Sequence, residues 1–401
     1  MAPALDGLPA AEHEVDVSGP VARFLPSLSP RGLRQVRLGL RVLEWLPFPW
    51  RFSRLGVGAR EEFLSRMERS RFGLHHQLLM MAKTFTTIGY AIDPGVEARV
   101  GIETSCRLDD GATPAPTGSL GSTRPSGEVE ECDVAIVGSG AGGAAAAAVL
   151  AEAGLDVLVL EAGEAYDRDS YPSDPLEAIA SLYRDGGLTI AEGRPPIPVP
   201  VARTVGGTTV INSGTCFRAP GPVLDHWRER YGVHWAGDLD AEFAEAEEFL
   251  RVTPLDPEQM GRNGQLAMEG AAALGVSGGP IARNAGRCVQ CSSCPYGCPI
   301  DAKQGMHVSY LPRAVAAGAR LRSGVEARRV ALEGDRATGL ECVTAPNGDG
   351  RPRPYSVRAR KATIVAGGAF GTPELLIRSG LGGGQVGRNL HVHPACWVGG
   401  R

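Results

Sequence analysis

The sequence predicts an α/β fold: a Rossmann-like domain preceded by a helical region. Three observations predict it. A strand-like run at 132–137 leads through a glycine-rich turn into small residues and a second strand-like run at 157–161, which is a βαβ opening. From 33 to 81, Leu, Val, Trp, Phe and Met recur at three- and four-residue intervals between arginines, the period of a helix face. The 54 Gly and 30 Pro among 401 residues show no G-X-Y period, so they mark tight turns and close backbone approaches rather than a fibrous chain.

Taken in chain order, residues 1–106 read as the helical region. Its arginines Arg31, Arg34, Arg37 and Arg41 interleave with Leu33, Leu38, Leu40, Val42, Leu43, Trp45 and Leu46. The favoured reading is a helix packing its apolar face on the rest of the chain; the other is a basic amphipathic helix making a peripheral contact with an anionic membrane. Residues 107–127 are rich in Pro, Gly, Ser and Thr and poor in large apolar side chains, which predicts a flexible linker. The main domain is expected over 128–401. A net charge of −4, from 41 basic and 45 acidic side chains, gives no footprint for nucleic acid. The opening residues carry no basic-then-apolar leader, so a cytoplasmic protein is expected. The most apolar stretch, 141–160, is interrupted by Glu152 and Asp156, so no spanning helix is expected.

Gly138-Ser139-Gly140-Ala141-Gly142-Gly143 fits G-x-G-x-x-G after a strand and at the start of a helix, with Glu161 about twenty positions on. Gly138 permits the tight turn, Gly140 leaves room for a pyrophosphate against the backbone, and Gly143 lets helix and strand pack closely. The free N–H groups at the helix start favour an anion there. Glu161 offers acceptors for the ribose hydroxyls of an adenosine. The fingerprint alone does not separate FAD from NAD.

Other segments separate them. After Glu161 come Ala162-Gly163, and some forty residues later Ala202-Arg203-Thr204-Val205-Gly206-Gly207-Thr208-Thr209-Val210-Ile211-Asn212, followed by Asp225-His226-Trp227. A later segment, Gly367-Gly368-Ala369-Phe370-Gly371-Thr372-Pro373-Glu374, precedes Val386-Gly387-Arg388-Asn389-Leu390 and His393-Pro394. In this order the segments resemble the signatures of the glucose-methanol-choline (GMC) flavoenzymes. The resemblance implies FAD as cofactor and a GMC-type FAD-binding fold with a substrate-binding domain that is incomplete within this chain. It implies that Arg203, Gly206, Gly207, Thr208 and Asn212 lie beside the flavin and its pyrophosphate, and that Val325 lies on the strand whose backbone meets adenine. The helical region, a cysteine-rich loop at 286–304 and the stretch 309–314 look most like the long-chain alcohol oxidase branch.

Four of the nine cysteines crowd that loop. Cys288, Cys291, Cys294 and Cys298 match the spacing of a bacterial iron–sulfur loop, and some GMC hexose dehydrogenases hold a cluster on a subset of such positions. An iron–sulfur site is one expectation here; zinc, and unligated or disulfide-forming cysteines, are the others.

For activity, the resemblance implies a general base that takes the proton from an alcohol hydroxyl, hydride transfer to flavin N5, and electrons passed to oxygen or a redox partner. A sugar or polyol dehydrogenase with an iron–sulfur cluster, or a non-catalytic flavin-binding protein, are the alternatives. The family's base is a histidine in a C-terminal segment, expected beyond Arg401. His393 matches the structural H-P position, and neither it nor His391 aligns with that base. Residues 1–401 alone are therefore expected to be inactive.

Overall fold

The computed structural model describes residues 14–100, 120–125, 127–172, 174–191, 197–237, 239–257, 260–286, 288–345 and 351–392. The chain divides into two compact units, Met1–Arg107 with Tyr171–Val201, and Leu108–Ser170 with Ala202–Arg401. Most of the expected linker, and His393-Pro394, lie outside the described residues.

The first unit carries α1 (Ser18–Phe24), α2 (Pro30–Trp45), α3 (Val57–Glu68), α4 (Gly73–Ala91) and α5 (Pro94–Val100). α2 starts at Pro30, which opens the first turn, and the Ser29 hydroxyl accepts the Gly32 N–H at 3.2 Å, which satisfies one orphan donor. Two small cores hold the helices. One joins Phe24, Leu28, Val36 and Phe85 to Leu176; the other joins Leu43, Met67, Leu78 and Leu79. Leu176 belongs to the later helix Pro175–Leu182, so a segment distant in sequence completes the helical region.

The second unit is built on a six-stranded sheet. Its strands are β1 (Val129–Val137), β2 (Val157–Leu160), β3 (Arg320–Arg322), β4 (Val325–Glu333), β5 (Arg336–Thr344) and β6 (Pro354–Val365), with α6 (Ala141–Glu152) between β1 and β2. The order is β3-β2-β1-β6-β5-β4. The first four run parallel, and β5 pairs antiparallel with both β6 and β4. β2 is buried along its whole length, as a run of Val and Leu in a parallel sheet covered on both faces should be. Val157 and Val159 enter the core beneath α6, while Leu158 and Leu160 enter the opposite one. Cys132 shares its face with Ala135 rather than with Val134 and Ile136. The register shift between Cys132 and Val134 explains this, because one extra residue reverses the alternation. Ala144, Ala147, Ala148 and Ala151 are all buried against the sheet; only small side chains let the helix come this close.

Candidate functional site

β1 is the strand from which the connections diverge, to β2 on one side and β6 on the other. The carboxyl ends of parallel strands at such a switch point form the crevice where open α/β sheets bind ligands. Gly138 leaves β1 at that point with φ +96°. A side chain there would overlap the Ala366 carbonyl at the end of β6, so the two glycine-rich segments of the sequence, 138–143 and 367–371, lie side by side. A Cβ at Gly143 would overlap the Gly138 carbonyl oxygen, and one at Gly163 would overlap the backbone of Arg203 and Thr204. These glycines are required by the packing of the chain on itself.

Gly140 is different. A Cβ there would find only the Gly207 Cα, at 4.0 Å, and its backbone (φ −71°, ψ −169°) is open to any residue. Nothing among the described residues asks for glycine. α6 begins at the next residue with no side chain capping its first N–H groups, and Ala141 and Gly142 are exposed. Open space beside an uncapped helix start is what a pyrophosphate needs. The site fits the phosphate end of a dinucleotide on these grounds.

Glu161, at the end of β2, is buried and braces the loop. One carboxylate oxygen accepts the Ser139 N–H at 3.1 Å and the Ser139 hydroxyl at 2.6 Å; the other accepts the Gly163 N–H at 2.9 Å. A carboxylate has about four acceptor directions, so it retains capacity for a ribose hydroxyl. Val325 stands beside it, donating its N–H to the Glu161 carbonyl at 2.8 Å.

The segment 203–212 docks on this loop. Gly206 donates its N–H to the Ser139 hydroxyl at 2.9 Å, and Gly207, at φ +59°, lies so close that a Cβ would come within 2.9 Å of the Gly140 Cα. Arg203 is exposed; its guanidinium donates to the Ala162 carbonyl at 3.3 Å and lies 3.9 Å from Glu326. Thr208 and Asn212 are also exposed. Sequence reasoning did not single out Ser139, Thr209 or Lys303, and gave His307 only a weak claim as a base. Ser139 joins the two loops. Thr209 donates to the Gly206 carbonyl at 2.6 Å and accepts the Met306 N–H at 2.9 Å. Lys303 is buried, with its ammonium donating to the carbonyls of Val210 (2.7 Å), Asn212 (2.5 Å) and Cys294 (2.8 Å). A lysine after a Cys-Pro turn gives no signal of burial in sequence.

His307 packs behind Gly206, where a Cβ would meet the His307 backbone nitrogen and Cβ at 3.2 Å. Burial, with a smaller contribution from the Lys303 charge, pushes its pKa down from 6.5 to about 4. The imidazole is therefore neutral at pH 7. Between the two values the unfolded chain binds the proton and the folded chain does not, so its contribution to stability is present above 6.5 and is lost as pH falls toward 4. In thermal unfolding over that window, the parent should lose about 3 kcal/mol more than His307→Gln; parallel curves for the two proteins would contradict this.

The iron–sulfur expectation finds no support among the described residues. Cys291 is disulfide-bonded. The Cys288 sulfur accepts the Gln290 N–H at 3.3 Å, Cys294 accepts from the Arg283 guanidinium at 3.2 Å, and buried Cys298 accepts the Lys303 N–H at 3.4 Å. Burial raises the Cys298 thiol further from its thiolate form. Among the described residues no group of three potential ligands converges on a metal position. The spacing was right for a cluster, but the loop turns its sulfurs to separate partners.

Comparisons with known proteins agree with this geometry. A family model described as GMC oxidoreductase matches residues 179–395, and one described as FAD binding domain matches 131–171. An uncharacterized GMC-type oxidoreductase of Mycobacterium tuberculosis is 46% identical over 276 residues, covering 68% of this chain and 43% of that protein. An uncharacterized GMC-type oxidoreductase of Sinorhizobium fredii is 37% identical, covering 66% and 52%. A long-chain-alcohol oxidase of Arabidopsis thaliana is 34% identical, covering 66% and 36%. The chain thus spans about half or less of the length of these relatives.

Proposed function

This chain belongs to the GMC oxidoreductase family, and from that premise we propose that it is the FAD-holding part of an enzyme that oxidises the CH–OH group of an alcohol, with long-chain primary alcohols as substrate. The observation that carries the reading is the vacant Cβ direction of Gly140 beside the uncapped start of α6. Here the α6 N–H groups hold the pyrophosphate, Glu161 takes the ribose hydroxyls, and the turn Gly206-Gly207 with Thr208 and Asn212 borders the flavin side. When bound, FAD supplies the hydride acceptor, with oxygen or a redox partner taking the electrons in turn. The alkyl preference is supported by the likeness to long-chain-alcohol oxidases of Arabidopsis thaliana.

The proton of the alcohol needs a base. His307 is buried beneath the Gly206 turn, and exposed His391 engages its own turn, with Nδ1 2.7 Å from the Asn389 carbonyl oxygen. The base is proposed to be the family's C-terminal histidine, outside residues 1–401.

FAD-loaded protein extended past residue 401 to carry the family's C-terminal histidine segment, mixed anaerobically with 1-dodecanol, methanol and glucose in turn, tests the reading. Bleaching of the flavin band by dodecanol alone supports it, and bleaching by glucose favours a sugar substrate. Bleaching by none is the result expected of a flavin-binding protein without catalysis. Robust turnover of dodecanol with a dye acceptor by residues 1–401 alone, abolished by changing His391 or His393, would show that the base is misplaced.

A further inference from the structure

α2 is 16 residues long and amphipathic in an unusual way. Val36 and Leu43, seven residues apart, are buried in the two cores of the helical unit. The opposite side is not simply polar. Arg34, Leu38, Arg41 and Trp45 follow one another at i, i+4, i+7 and i+11, so they share one face. Leu38 is 63% and Trp45 50% exposed. The chain then turns through 46–51, where Phe48 is 82% and Trp50 67% exposed, and the Arg51 guanidinium lies 4.5 Å from the Trp45 ring centroid. Charge on this stretch has one sign: residues 30–60 contain seven arginines and a single acid, Glu44. Glu44 is occupied by the Ser53 N–H at 3.0 Å and hydroxyl at 2.6 Å.

These features select among partners. An apolar protein surface would cover the rings but bury several arginines without counter-charge, which is costly. A nucleic acid would neutralise the arginines but offers no apolar layer for Leu38 and Phe48. An anionic lipid surface accommodates both, with phosphates meeting the guanidinium groups while Trp and Phe rings settle at the boundary between headgroups and acyl chains. We propose that the outer face of α2 and the 46–51 turn form a peripheral docking surface for an anionic phospholipid bilayer. With Arg31, Arg34, Arg37 and Arg41 along it, the helix can lie on such a surface but not cross it.

Flotation of the full 401-residue chain tests this, using vesicles of phosphatidylcholine alone and vesicles in which about one-third is phosphatidylglycerol. The chain should float with the anionic vesicles, and about 0.5 M salt should release it. The pair Phe48→Ser with Trp50→Ser, and separately the pair Arg34→Glu with Arg41→Glu, should each lower partitioning about tenfold or more. Both pairs change exposed side chains, so unfolding curves matching the parent should accompany the loss. The proposal is overturned if the parent does not float, if it floats equally on neutral vesicles, or if neither pair changes its partitioning. It is also overturned if light scattering shows a dimer that the aromatic pair dissolves.

Discussion

Gly140→Ala should weaken FAD binding at least about tenfold, about 1.4 kcal/mol, while changing the stability of the apoprotein by less than about 1 kcal/mol. The asymmetry follows from what surrounds the position. A methyl group at residue 140 meets no atom of the described residues nearer than 4.0 Å, so it strains none of them in the empty fold. Alanine is a poorer residue than glycine at the N-cap, but it also restricts the unfolded chain, and these two effects are each about 0.5–1 kcal/mol with opposite sign. In the loaded protein the methyl points into space next to the uncapped α6 amides, where a phosphate would lie. Gly143→Ala should behave in the opposite way. Its methyl overlaps the Gly138 carbonyl oxygen, which cannot retreat without opening the turn against Ala366, and the cost is about 3 kcal/mol or more. Flavin fluorescence titration and thermal unfolding of both variants check this. An unchanged FAD affinity for Gly140→Ala would sink the assignment of the loop, and equal destabilisation by the two substitutions would show that Gly140 is an ordinary packing glycine.

That contrast bears on what can be read from sequence. The G-x-G-x-x-G spacing located the turn, the helix and Glu161, because each depends on local backbone chemistry within some twenty residues. The sharing of Glu161 between Ser139 and Gly163 depends on how the strand end folds back and was legible only in outline. The contact between Gly138 and Ala366 joins segments more than 220 residues apart, and no local period encodes it. Cysteine spacing left the iron–sulfur, zinc and disulfide readings of the loop open for a related reason. Spacing constrains which sulfurs could converge, whereas their direction is set by Lys303, Arg283 and the turns at Gln290 and Ser292, both with positive φ. The exposed rings at Phe48 and Trp50 were invisible to periodicity because they fall just after the helix ends.

Lys303→Met should destabilise the protein by about 3–5 kcal/mol and weaken FAD binding together with it. The lysine is 1% exposed, and its three N–H groups are shared among three carbonyls, two of them in the 203–212 segment and one in the cysteine loop. Methionine fills nearly the same volume without a donor, so those buried acceptors lose their partner at about 1–3 kcal/mol each, offset in part by relief of the buried charge. The segment that carries Gly206 and Gly207 then loses its anchor at residues 210 and 212, and the turn packed on Gly140 loosens. A pH series separates the charge from the bonds. Burial pushes the Lys303 pKa down from 10.5 to about 8, so between those values the unfolded chain holds a proton that the folded chain has released. The lysine's contribution therefore rises with pH from 8 to 10.5, is complete above 10.5, and is lost as pH falls through 8. Relative to Lys303→Met, the parent should gain stability across that window, even though the parent is the more stable protein at pH 7. If the variant matches the parent at pH 7 in both unfolding temperature and FAD affinity, the three carbonyl bonds do not hold the segment, and the docking of 203–212 must rest on Ser139 and on the bonds of Arg203, Thr204 and Val205 to Ala162 and Glu164.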